Sequence, residues 1–294
     1  MHTKSIAEAS FAYQRRLALM RRVFPRPIRR AIRTCYFLAL DGMDLCLGRR
    51  KQLVPPRWLN PIGDGSFESA GDEFLGYFVN MCGLKPNARV LDVGCGIGRM
   101  ARPLTTYLTT GSYKGFDITP AGIHWCRGNI TPRYPNFRFT LADVRNREYN
   151  PAGPVQASEY RFPYDDAQFD FAFLSSVFTH MLPSEVSHYL EELSRVLAPG
   201  GNCLATFFLL NDEARELIAS GRSSLPIALP MEGCWTTDLK LPETAVGYDE
   251  NRLFFLIQSK GFVVESRAYG RWCGRSKYQS YQDILTLRRA EARV

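Results

Sequence analysis

The stretch RVLDVGCGIGRMARPL (residues 89–104) decides the fold. Val90, Leu91 and Val93 form a short apolar run suited to a buried strand, and Gly94, Gly96 and Gly98 end it. Met100, Ala101, Leu104 and Leu108 then recur at helical spacing, with Pro103 where an early helical turn tolerates it. Strand, glycine turn and helix together present main-chain N–H groups and a helix N-terminus to a ligand. A dinucleotide fingerprint reads G-x-G-x-x-G, but here Arg99 stands where its third glycine belongs. The departure argues against a pyrophosphate. Asp92, just ahead of the glycines, suits a ligand with positive charge. A tight turn with no ligand is the alternative, and the strands that follow bear on it.

Working outward, YKGFDITPAGI (113–123) puts Asp117 at the end of a second apolar run, and FRFTLADV (137–144) puts Asp143 at the end of a third. FDFAFLSSVFTHM (169–181) reads as a fourth strand with its exit loop, and LSRVLAPGGNCLATFF (193–208) as a helix, a turn and a fifth strand. Asp117 and Asp143 each have a local reading, as residues that open the next helix or turn. Taken with Asp92, they are three carboxylates at three successive strand ends. In an open parallel sheet ligands bind beyond those ends, and carboxylates gathered there repel unless a partner intervenes.

These landmarks, in this order, resemble the class I S-adenosylmethionine-dependent methyltransferases. The resemblance implies an α/β Rossmann-like fold: a seven-stranded, mostly parallel sheet with its last strand antiparallel and helices on both faces. It implies S-adenosyl-L-methionine as cofactor, held by Asp92, Gly94, Cys95, Gly96 and Gly98 in the glycine loop. Asp117 would take the ribose hydroxyls with Ile118 beside it. Asp143 would meet the adenine amino group with Val144 against the ring, and Ser175 would face the methionine end.

The charge is uneven. Residues 1–60 hold 13 Lys or Arg against 3 acids, while the whole chain is only +8, so the remainder is slightly acidic. FAYQRRLALMRRVF (11–24) and PIRRAIRTCYFLALDGMDLCLGRR (27–50) read as basic amphipathic helices, the second with Ile28, Ile32, Cys35, Tyr36, Leu40, Met43 and Leu47 as candidates for one face. Such an arm meets an anionic membrane surface through residues 1–50, or packs on its own domain with its arginines solvated. Pattern alone leaves both open. The lack of a reading motif and the acidic remainder argue against nucleic acid. We divide the chain into this arm (1–60) and a methyltransferase domain (61–294) with a lid insertion near 211–248. The lid reads as a helix and a proline-rich loop whose Leu225, Ile227, Leu229, Met231 and Trp235, with Phe178, offer apolar surface to an acceptor. The eight cysteines include no C-x-x-C pair, so neither a zinc ribbon nor a redox dithiol is indicated. No signal peptide or apolar run of spanning length is seen. The expected location is cytoplasmic, with peripheral attachment at the inner face of the membrane if the arm binds lipid.

Methyl transfer needs alignment of nucleophile, carbon and sulfur, and a base where the nucleophile carries a proton. His180 falls just past the fourth strand, on the side where an acceptor approaches, and is the candidate base. Its other reading is a capping or packing histidine. His124 is expected to pack in the core. No Asn/Asp-Pro-Pro-aromatic tetrad, Pro-Cys nucleophile or metal triad is evident, so no metal site is expected. These readings leave a small-molecule acceptor of apolar character, methylated on oxygen. A cofactor-binding but inactive module and an RNA-modifying enzyme are the alternatives.

Overall fold

The computed structural model describes residues 26–49, 51–60 and 67–291. The helix expected over 11–24 lies outside them. The described residues form two compact units, one up to Ala70 and one from Gly71 onward.

In the first unit, α1 (Arg26–Cys46) opens with Pro27 in its first turn, where a missing N–H costs no helical bond. A 3-10 turn, Arg57–Leu59, brings a cation back to it. The Arg57 guanidinium reaches Asp41 at 2.9 Å and Asp44 at 2.5 Å, and its main-chain N–H donates to Asp41 at 2.8 Å. α2 (Phe67–Cys82) runs from the first unit into the second and stops at Gly83, whose φ of 63° supplies the left-handed residue that closes a helix.

The second unit is built on β1 (Arg89–Val93), α3 (Ala101–Tyr107), β2 (Ser112–Asp117), α4 (Pro120–Asn129), β3 (Phe137–Leu141), β4 (Phe169–Leu174), α5 (Pro183–Val196) and β5 (Leu197–Phe207). It continues through β6 (Leu209–Leu210), α6 (Asp212–Ala219), β7 (Leu229–Met231), β8 (Cys234–Thr236), β9 (Val246–Asp249), α7 (Glu250–Ser259), β10 (Phe262–Ala268) and β11 (Asp283–Arg289). Seven strands form one sheet in the order β10-β11-β5-β4-β1-β2-β3. β1 to β5 pair parallel, and β11 slots between β5 and β10, antiparallel to both. This is the expected Rossmann-like sheet with its last strand reversed, and that strand lies one place in from the edge.

Period-two alternation distributes the core. Along β4, Ala172 and Leu174 join Val186, Leu190 and Leu253 of α5 and α7 in one apolar cluster. Phe171 and Phe173 face Phe78 of α2, with ring centroids 5.3 and 4.4 Å away. Register then sets the site. Asp92 pairs with Gly115 and Phe173, and Asp117 with Leu141, so the exits of β1 to β4 gather along one edge.

The expected lid is not a bare loop. Residues 209–249 build α6 and a four-stranded sheet, β6-β9-β8-β7. Its strands are two to four residues long, too short for alternation to show in the sequence. Most of the lid's apolar residues serve this sheet's own core. Ile227 is buried there with Phe208, Leu210 and Trp272, with Leu225 and Trp235 against them. The Arg215 guanidinium covers the Trp235 ring at 4.4 Å. Phe178 is fully buried and stacked on Phe207 at 4.9 Å, so it belongs to the core rather than to an acceptor surface. Leu229 remains exposed. His124, expected in the core, is exposed, because Ile123, Trp125 and Cys126 take the inward positions of α4.

Candidate active site

The glycine loop after β1 folds on its own carbonyls and carboxylates. The N–H groups of Gly94 and Cys95 both donate to the Phe116 carbonyl, at 2.9 and 3.0 Å, and that of Gly98 to the Cys95 carbonyl at 2.9 Å. Gly96 donates to Asp117 Oδ2 at 2.7 Å. With these donors engaged, the loop does not offer the row of free N–H groups that a pyrophosphate needs.

The three glycines, all at positive φ, answer to different neighbours. A Cβ at Gly94 would stand 2.4 Å from Val177 Cγ2. One at Gly98 would meet Ile130 Cδ1 at 2.8 Å and Cys126 Sγ at 3.0 Å. These two admit close packing by the protein itself. A Cβ at Gly96 would meet nothing within 4 Å, so its missing side chain leaves open space beside the Asp117 carboxylate. Cys95 is buried, its Cβ in the place that a side chain at Gly115 would need.

Each acid already has a donor. Asp92 is buried within β1 and accepts the Tyr113 hydroxyl at 2.5 Å. Burial pushes its carboxyl up to about 8, against the pull of the Tyr113 hydrogen bond and with a further rise from nearby Asp117. Asp117 takes the Gly96 N–H on one oxygen and the Thr119 N–H (2.8 Å) and hydroxyl (2.5 Å) on the other. Its carboxyl is also raised, chiefly by burial. Asp143 is exposed and bonded by the Asn150 side-chain amide at 3.1 Å, with Val144 buried beside it. Neutral protein donors therefore meet each acid's hydrogen-bonding needs, while the charge of Asp117 still raises the Asp92 carboxyl. Carboxylate oxygens have lone pairs to spare, and Asp117 can still accept from hydroxyls. Open space at Gly96, a carboxylate at the end of β2 and another beyond β3 fit the hydroxyl and amine donors of S-adenosylmethionine.

Beyond β4, Ser175 is half-buried and Ser176 adopts a φ of 59°. This strained turn is held by Thr206 Oγ1, which accepts the Ser176 N–H at 2.8 Å, and by Gln282, which accepts its hydroxyl at 3.0 Å. It carries Val177 over Gly94 and leads into the short turn Phe178–His180. His180 is half-buried, with Nδ1 2.7 Å from the Glu243 main-chain carbonyl. The Tyr149 ring meets it edge-on at 5.6 Å. The Tyr149 hydroxyl is raised, chiefly by burial and further by the charges of Glu148 and Asp117. Arg147, two residues earlier, pairs with Glu243 at 3.4 Å. The segment after β3 thus borders the histidine beyond β4 and the Glu243 that orients it. Ile118 is half-buried at the β2 exit.

Tyr149 and Glu243 escaped the sequence reading, being 31 and 63 residues from His180 in the chain. The one available hint was the position of Tyr149 just past Asp143. A groove of about 540 Å³ is lined by residues including Lys114, Arg161, Tyr164 and Gln168, and none of the expected site residues borders it. No cluster of metal-ligating side chains occurs among the described residues.

Residues 91–205 match the family described as methyltransferase domain. Over 130 residues the chain is 35% identical to phthiotriol/phenolphthiotriol dimycocerosates methyltransferase 1 of Mycobacterium ulcerans, covering 44% of this chain and 40% of that one. Over 120 residues it is 34% identical to fatty-acid O-methyltransferase of Mycolicibacterium smegmatis, covering 40% of this chain and 36% of that one. The match thus spans 40% or less of the length of these curated relatives. The crystal structure of PH0226 protein from Pyrococcus horikoshii OT3 aligns with a TM-score of 0.54 at 17% identity, covering 79% of this chain and 95% of that one, which is a likeness of fold.

Proposed function

We propose that this chain, which carries a class I S-adenosylmethionine-dependent methyltransferase domain, methylates an oxygen of a lipid-like or glycosylated small molecule. The observation that carries the cofactor half is Gly96, which alone of the three loop glycines opens on free space, next to the Asp117 carboxylate. Asp117 would accept the ribose hydroxyls while keeping the Gly96 N–H. Asp143 would receive the adenine amino group with Val144 on the ring, and Ser175 would face the amino-acid end. When bound, S-adenosylmethionine supplies a methyl group already activated by its sulfonium.

The lipid-like acceptor is supported by the printed names of the two relatives and by the exposed Leu229 of the lid. His180 supports transfer to oxygen. A carbonyl can only accept, so the 2.7 Å contact with Glu243 assigns the proton to Nδ1 and leaves the Nε2 lone pair to take a proton from a hydroxyl. A carboxylate acceptor arrives without that proton and needs no base.

The test has two parts. Asp117→Ala should weaken S-adenosylmethionine by about 1.5–3 kcal/mol in calorimetry, the range for hydrogen bonds to a charged group. Labelled methyl from that donor should then appear on members of a panel of hydroxylated lipids and fatty acids. Unchanged cofactor affinity in a folded Asp117→Ala protein overturns the site. Label transferred only to RNA overturns the acceptor class.

A further inference from the structure

Helix α1 has an unusual distribution of side chains. Between Ile32 and Leu47, each described side chain that is exposed is uncharged. Ile32, Tyr36, Leu38, Met43, Leu45 and Leu47 are between 41% and 61% exposed. At 100° per residue, Ile32, Tyr36, Met43 and Leu47 fall within a sector of about 60°, and Leu38 and Leu45 widen the apolar surface to about 200°. The acids sit on the other side. Asp41 and Asp44 are half-buried with Thr34 and Phe37, and Arg57 pairs with both. The helix hides its negative charges behind a cation and exposes its apolar ones, the reverse of a helix that meets water.

We propose that α1 lies in the plane of an anionic lipid bilayer, its Ile32–Met43–Leu47 face in the acyl boundary and its Asp41/Asp44/Arg57 side toward water. Charge chooses the bilayer over a second copy. Residues 1–60 hold 13 Lys or Arg against 3 acids, with Arg29, Arg30 and Arg33 early in the helix sequence and Arg49, Arg50 and Lys51 just after it. Two such segments face to face would repel, whereas anionic lipid phosphates attract them. Trp58 is 48% exposed on the turn that holds the acids, and an indole favours the headgroup level. No helix among the described residues is long and apolar enough to cross a membrane, so the contact is interfacial. The inference deepens the lipid-like acceptor reading by naming the surface where such an acceptor is met, yet it is read without any methyl transfer.

The experiment is flotation of the full chain with vesicles of equimolar phosphatidylcholine and phosphatidylglycerol. Binding is expected at low salt, about tenfold or more weaker on pure phosphatidylcholine. It should weaken without vanishing as salt cuts the screening length from about 10 Å at 0.1 M to about 3 Å at 1 M, because the apolar face remains. The variant Ile32→Glu/Met43→Glu/Leu47→Glu should lose flotation while keeping wild-type cofactor affinity in calorimetry. That affinity shows the second unit folded and is independent of the membrane. Absence of flotation in the wild type, or undiminished flotation in the triple variant, overturns the proposal. So does a concentration-dependent dimer in light scattering that the same substitutions abolish, since the face would then belong to a second copy.

Discussion

His180 Nδ1 lies 2.7 Å from the main-chain carbonyl of Glu243, a residue of the lid segment 63 positions further along the chain. The contact sets both the tautomer and the orientation of the ring, so the Glu243 backbone determines which nitrogen keeps a free lone pair. If that nitrogen takes the acceptor's proton, His180→Ala should cut turnover on a hydroxyl acceptor by about 10²–10⁴-fold with cofactor affinity nearly unchanged. His180→Asn can still donate to the Glu243 carbonyl but takes up no proton at neutral pH. Steady-state rates on a hydroxylated lipid should therefore be low in both variants. Wild-type turnover in His180→Asn would reject the base and leave proximity as the mechanism.

The glycine loop should separate folding from binding. Each of Gly94, Gly96 and Gly98 has φ between 52° and 82°, so any alanine there pays about 1–2 kcal/mol of left-handed strain. Gly94→Ala and Gly98→Ala add collisions with Val177 and with Ile130 and Cys126, whereas Gly96→Ala adds none within the protein. Thermal melts should rank Gly96→Ala as the mildest of the three. Calorimetry should show it losing S-adenosylmethionine affinity all the same. A Gly96→Ala protein that binds normally would mean that the open space is not the cofactor's.

Asp92 predicts a pH dependence for the ligand-free protein. The unfolded chain gives up this proton near 3.8, and the folded chain holds it to about 8. Between these values the folded state carries the extra proton, so stability falls as pH rises through the window. Asp92→Asn keeps an oxygen for the Tyr113 hydroxyl and carries no charge. Its melting temperature should decline less than the wild type's between pH 5 and pH 8. Parallel curves would place the Asp92 proton elsewhere.

The segment that begins with α6 is anchored by a buried ion pair. Arg275 reaches Asp283 at 3.1 Å, Asn211 at 3.0 Å and Glu213 at 3.0 Å, and it stacks on Tyr269 at 4.5 Å. Asp283 also accepts from Trp272 Nε1 and from the N–H groups of Gly270 and Leu209, each at 2.7 Å. Arg275→Ala leaves that carboxylate without its cation and should cost about 3–5 kcal/mol in chemical denaturation. Adding Asp283→Asn should recover part of the loss. A loss below about 1 kcal/mol would show that the main-chain and indole donors suffice.

The order of strand, glycine turn and helix and the acids near three strand ends were legible along the chain, because apolar periodicity and glycine placement are local signals, whereas the reversed last strand was implied by the family resemblance alone. So was the polarity of α1, since a helix's angular pattern follows from its spacing alone. The lid's small sheet was not legible. Its strands are too short to alternate, and they owe their form to pairing with one another and to a core shared with Trp272. Nor could the sequence tell why each loop glycine is a glycine. Val177 at Gly94, α4 and Ile130 at Gly98 and open space at Gly96 emerge only once distant segments meet. The sequence by itself determined the strand segments and the acids near their ends. The tertiary structure alone decided that Tyr113 covers Asp92 and that Glu243 orients His180. Partners 21 and 63 residues apart leave no periodic trace and meet only when the sheet has formed.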